Sequence, residues 1–204
     1  MNYIIVLIAL IAAAIVFPML PEEIPTHFNA QGVPDSYGSP LTVFLLPGIM
    51  LFVNILAEVL KYADPKAANY QMFSKHYYLL FLVINIFLLL VEGYIISYSM
   101  DWVSFNISTG ITIALGILFM VIGNFLPKVK QNFFMGIKTP WTLADEQVWY
   151  KTHRFAGKIW FVAGLILCLC SFLPSKVFVP VLLVALLPAA VVPMIYSYII
   201  FKRP

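Results

Sequence analysis

Apolar residues fall in six long runs separated by short polar segments: residues 3–20, 41–60, 77–98, 105–125, 159–173 and 178–201. The runs are nearly continuous, with no helical alternation of apolar and polar faces, and most match the roughly 20 residues that a helix needs to cross a hydrocarbon core about 30 Å thick. The pattern predicts an all-α integral membrane protein of six transmembrane helices, one polytopic domain over residues 1–204. The fifth run is the shortest, and Ala156, Gly157 and the stem of Lys158 extend it at its start. Between the runs lie segment 21–40, segment 61–76, a turn at 99–104, a long segment 126–158, a turn at 174–177 and a short tail.

Composition sharpens this reading. Apolar residues make up 62% of the 204 and charged residues only 10%, with a mean hydropathy of +0.95, against about 25% charged in an ordinary soluble domain. A soluble globule, a disordered chain, a basic nucleic-acid-binding face and a disulfide scaffold are excluded. Cys168 and Cys170 point to nearly opposite sides of a helix and read as packing residues. The basic residues are unevenly placed: segments 61–76, 126–158 and the tail carry three, six and two, segment 174–177 carries one, and 21–40 and 99–104 carry none. The positive-inside rule then places both termini in the cytoplasm, 21–40 outside and 126–158 inside. Met1 and Asn2 supply no basic region, so the first run is expected to remain attached rather than act as a cleaved signal.

Few polar groups interrupt the spans. Glu92 lies well inside the third, and Asn85 sits two turns earlier on the same face. A charge at that depth costs about 3 kcal/mol or more, so the carboxyl is expected to be protonated, paired or turned into the bundle. The two residues read either as a proton or ligand site or as packing contacts. Glu58 and Lys61 are spaced to pair at the inner boundary, and Asn54 is placed to join helices by a side-chain hydrogen bond. Pro47, Pro180, Pro188 and Pro193 bend their helices, which a bundle tolerates when neighbours satisfy the freed carbonyls. Gly116 and Gly123, seven apart on one face, allow a close helix contact.

Two loops carry most of the remaining information. The outer one, LPEEIPTHFNAQGVPDSYGSP, holds Glu22, Glu23, Asp35 and His27, no basic residue, and turn-formers at Pro25, Gly32, Pro34 and Gly38, which is a shaped loop suited to a basic or amphipathic ligand. His27 and its carboxylates match no metal-ligand spacing. In the inner loop, Thr142 and Asp145 resemble a capping box with Glu146 in the first turn, predicting a helix that lies along the membrane. Trp141, Val148, Trp149 and Phe155 with Lys151, Arg154 and Lys158 suit headgroups and anionic lipid; Trp149, Tyr150 and His153 could instead face a soluble partner. No nucleophile motif, HExxH or phosphate-binding glycine pattern occurs, so no catalytic residue, metal or cofactor is expected, and an enzyme acting through His153 and Glu146 is the weakest reading.

The outer sequence resembles the "LP..IP.HFN..G..D.YGS" segment of the SdpI family of bacterial immunity proteins, and GIKTPWTLADEQVWYKTHRFAGK is similar to that family's cytoplasmic "GI(R/K)TPWTL…VW..THR..G" segment. Pro40 departs from the pattern, standing where a basic residue is expected. The resemblance implies protection of a bacterium from a secreted, membrane-damaging peptide toxin, and signalling by capture of a small cytoplasmic repressor, with no direct binding of nucleic acid. It points to His27, Phe28, Asn29, Asp35 and Tyr37 for toxin, and to Thr139, Pro140, Trp141, Trp149, His153 and Arg154 for the cytoplasmic partner. The alternative is a small proton-coupled transporter built on Asn85 and Glu92.

Overall fold

The computed structural model describes residues 3–29, 31–104, 107–173 and 178–202. The expected turn at 174–177, the first two residues of the fourth run, Arg203 and Pro204 lie outside them. Seven α-helices are described: α1 (Tyr3–Val16), α2 (Leu45–Ala63), α3 (Asn69–Ser99), α4 (Ile107–Phe125), α5 (Pro140–Ala144), α6 (Glu146–Cys170) and α7 (Phe178–Lys202). Two strands, β1 (Ile24–Phe28) and β2 (Pro34–Gly38), pair antiparallel. Five helices, α2, α3, α4, α6 and α7, are long and apolar enough to cross a membrane, while Tyr3–Met19 is a shorter apolar helix. The chain is a multi-pass, helical membrane protein.

The expected runs underlie these helices, but two begin earlier than hydropathy suggests. α3 starts at Asn69 rather than near 77 and bends at Phe73, where φ is −129°. α6 starts at Glu146 and runs without interruption into the fifth apolar run. The expected helix lying along the membrane is therefore not a separate element. Its residues are the first turns of a 25-residue helix, about 37 Å long at 1.5 Å per residue, because no breaker separates the polar start from the apolar end. Its cap differs too. Asp145 is itself the N-cap, accepting from Val148 N at 2.9 Å, whereas Thr139 and Thr142 form the reciprocal capping box one helix earlier, on α5.

The tightest helix pair is α4 with α6. A Cβ on Gly116 would sit 2.5 Å from Cys168 Sγ and 2.7 Å from the Gly164 carbonyl, and one on Gly123 would sit 2.5 Å from Phe161 N. Gly157 and Gly164 face these two reciprocally, so four glycines let backbone touch backbone where lipid offers no hydrophobic drive for association. α6 also holds α7. Pro193 cannot donate to the Ala189 carbonyl one turn earlier, and the Trp160 indole N–H donates to that oxygen at 3.0 Å instead.

Trp160→Phe should therefore lower the unfolding free energy in a bilayer mimetic by about 1 kcal/mol. In a Pro193→Ala background, where the backbone N–H returns, the same change should cost clearly less. An equal cost in both backgrounds would show that the indole does not serve the proline.

Candidate functional site

The outer loop is a β-hairpin. Asn29 closes it: its Oδ1 accepts from Gln31 N and Val33 N, both at 3.0 Å, its backbone N–H donates to Val33 O at 2.9 Å, and Gly32 takes a positive φ of 72°. Ile24, 1% exposed, packs with Ala13, Val43 and Ile96. Phe28 meets Tyr94 and Tyr98 of α3 edge-on, with ring centroids 5.7 Å away in both pairs. Of the five residues expected to bind ligand, Phe28 and Asn29 thus build and seat the hairpin, while three face outward. His27 Nδ1 lies 2.5 Å from Asp35 Oδ1, with side chains 66% and 43% exposed, and Tyr37 is 53% exposed. The result is a platform whose outer face carries a hydrogen-bonded His27–Asp35 pair and an exposed tyrosine.

The inner loop is tied into a buried polar knot. Asp64 accepts from Tyr70 OH at 3.0 Å, Lys66 N at 2.7 Å and Phe133 N at 2.9 Å. Asn132 Oδ1 accepts from Met135 N at 2.6 Å, Phe134 N at 3.0 Å and Tyr70 OH at 3.2 Å. Gln131 Nε2 donates to the carbonyls of Thr142 and Leu143, and its Oε1 accepts from Lys66 Nζ. Trp149 Nε1 donates to Val129 O at 2.9 Å, and its ring stacks on His153 at 4.0 Å. His153 Nε2 accepts from Ile137 N at 2.9 Å, so Nδ1 carries the proton and donates to Trp149 O at 2.8 Å. Gly136, with φ of +103°, precedes that bond, and a Cβ there would collide with the imidazole.

These contacts redistribute the residues expected to meet a partner. Trp149 and His153 are each 1% exposed and Thr139 is buried, bonding to Ser197 of α7 at 3.0 Å; none of the three can form a docking surface without opening the knot. Pro140 and Arg154 are exposed and Trp141 is half-buried against Tyr198. Sequence reasoning missed Asp64, Gln131 and Asn132. Only Asp64 carried a signal, as the first member of an Asp-Pro pair that opens a turn.

The intramembrane residues also separate. Asn85 and Asn54 exchange hydrogen bonds at 2.9 and 3.2 Å across α3 and α2, so Asn85 pairs these helices, and no hydrogen bond joins it to Glu92 among the described residues. Glu58 and Lys61 pair at 2.8 Å as expected. Glu92 is 2% exposed, and neither carboxyl oxygen has a hydrogen-bond partner among the described residues.

Removing the knot's central acceptor with Asp64→Ala strands Lys66 N–H and Phe133 N–H and leaves Tyr70 OH with Asn132 alone, a cost of about 2 kcal/mol. Trypsin should then cut at the exposed Lys130 and Lys138 roughly thirtyfold faster, and an unchanged cleavage rate would show that Asp64 does not hold the loop.

Residues 128–197 match the SdpI/YfhL protein family, and residues 4–51 match a domain of unknown function (DUF1648). Immunity protein SdpI of Bacillus subtilis (strain 168) is 32% identical over 206 residues, an alignment covering 99% of this chain and 95% of that protein. No solved structure matches. The hairpin, the inner knot and the helices between them all fall within that alignment, and the chain belongs to the SdpI/YfhL protein family.

Proposed function

We propose that this chain is a non-enzymatic immunity protein that protects a bacterium from a secreted, membrane-damaging peptide toxin through its outer hairpin. The observation that carries the reading is the platform itself. His27, Asp35 and Tyr37 are exposed on a two-stranded element whose own hydrogen bonds and apolar base are already satisfied. Such a surface is free for a ligand, and the absence of any basic residue in 21–40 favours a cationic one. Similarity to a protein named for immunity supports the same conclusion.

In this reading the chain is a single polytopic domain with six spans. α1 is counted among them because Val6 and Ala9 pack on Met50, Leu88 and Leu89, and a short span is accommodated by local bilayer thinning. Both termini face the cytoplasm, with 21–40 extracellular and 126–158 cytoplasmic, in contact with anionic lipid. The inner surface also serves as a sensor that captures a small cytoplasmic repressor through exposed residues such as Pro140 and Arg154. α3 links the two sides, touching the hairpin through Tyr94 and Tyr98 and the knot through Tyr70. Signalling then requires the toxin to favour one arrangement of that helix over another.

Two experiments test these assignments. A cysteine at Ser36 should react with an impermeant maleimide in intact cells and one at Lys151 only after lysis; the reverse pattern would invert the topology. Asp35→Ala combined with Tyr37→Ala should weaken toxin binding by about 2 kcal/mol, roughly thirtyfold. In a toxin-challenge survival assay this appears as lost protection at unchanged membrane abundance. Full protection by the double variant would remove the hairpin face from the function.

A further inference from the structure

Beneath the hairpin lies a cavity of about 290 Å³. Its roof is β1, from Ile24 to Phe28, and its walls are the starts of α2 and α4 and the outer half of α3. The lining is apolar, with Val43, Leu46, Ile95, Ile107 and Ile111 prominent, and it contains no basic side chain. His27 at the rim already contacts Asp35. The remaining acid in the wall is Glu92, 98% removed from solvent and without a partner for either oxygen among the described residues. A buried carboxyl with no donor is costly to keep, and packing alone would be served by Leu or Met.

We propose that this cavity is a binding site for an aliphatic ammonium group, with Glu92 as its acceptor, and that the occupant is a lysine side chain or amino terminus of a cationic amphipathic peptide. The geometry points to this chemistry in three ways. The apolar walls suit a methylene arm, as lysine snorkelling along apolar surfaces does elsewhere. The two carboxyl oxygens lie closed off in the wall and unpartnered among the described residues, and a turn of the side chain lets them accept charge-assisted N–H bonds, which are strong where water is excluded. The volume lies at the small end of ligand pockets, right for one side chain and too small for a folded domain. Commitment to a peptide rests on the proposed role of the hairpin: Glu22, Glu23 and Asp35 belong to the segment that roofs the cavity, and 21–40 carries no Lys or Arg, which favours a basic ligand there. Peptide capture would then have two parts, contact with the platform and insertion of one ammonium beneath it.

The test uses the purified full chain in phosphatidylcholine nanodiscs, with n-hexylammonium as probe, n-hexanol as its uncharged counterpart and the unfolding temperature as readout. The ammonium should raise the midpoint dose-dependently beyond the alcohol. That difference should vanish in Glu92→Gln and in Ile111→Phe, which narrows the cavity while keeping the carboxylate. Equal responses to both probes, or a response retained in Glu92→Gln, would overturn the site. Loss of the response in discs containing phosphatidylethanolamine would assign the ammonium to lipid and overturn the peptide occupant. In the survival assay Glu92→Gln should reduce protection by roughly tenfold or more. Unchanged protection there, beside failure of the Asp35/Tyr37 variant, would overturn the occupant and leave the hairpin reading standing. The opposite pattern would retire the hairpin and leave the cavity.

Discussion

The architecture depends on two helices approaching until their backbones touch. In hydrocarbon, apolar side chains gain nothing by leaving lipid for each other, so close packing and shape carry the association. Gly116 and Gly123 on α4 meet Gly164 and Gly157 on α6 with no space for a methyl group. That contact also sets the inner loop, because Gly157 lies against Pro127 at the end of the α4 turn. Trp149 and His153, two turns and one turn before Gly157 on the same helix, are thereby brought over Val129 and Ile137. Any larger residue at these four positions would part the helices and displace the first turns of α6 together.

The two ends of α3 meet different physics. The outer hairpin is a small independent unit whose strands satisfy each other and whose base is pinned by Ile24 and Phe28, leaving its polar face available. The inner loop has no regular pairing. It is held by side chains acting as backbone substitutes, with Asp64, Gln131 and Asn132 accepting or donating where strands or helices are missing. Asp64, Gln131 and Asn132 each make several of these bonds, and breaking them would leave buried groups unpaired at a free-energy cost that surface contacts do not return. The TPWTL and VW..THR elements belong to this network more than to any exposed surface.

How much could be read from sequence follows from which interactions are local. The apolar runs, the Glu58–Lys61 pair and the glycine spacing on α4 were legible because each depends on neighbours along one helix. The partner glycines on α6 were not, since Gly157 and Gly164 have no meaning until α4 is opposite them. The hairpin was visible only as turn-formers, because Pro25 and Pro34 and the register shifts near His27 erase strand alternation. Burial of Trp149 ran against a headgroup-facing reading and burial of His153 against a partner-facing one; aromatic and imidazole groups at a helix start suit a surface and a knot equally, and the loop that covers them decides. Asn85 looked like Glu92's companion by spacing, but its companion was Asn54, on a helix 31 residues earlier in the chain.

That asparagine pair also limits how the molecule can move. Sliding α2 along α3 would break two hydrogen bonds at once in a medium that offers no substitute, so the pair opposes shear between these helices. Tilting about the pair keeps both bonds. Asn54 and Asn85 thus act as a pivot between α2 and α3, about which a tilt moves the hairpin end and the Tyr70 end of α3 in opposite directions.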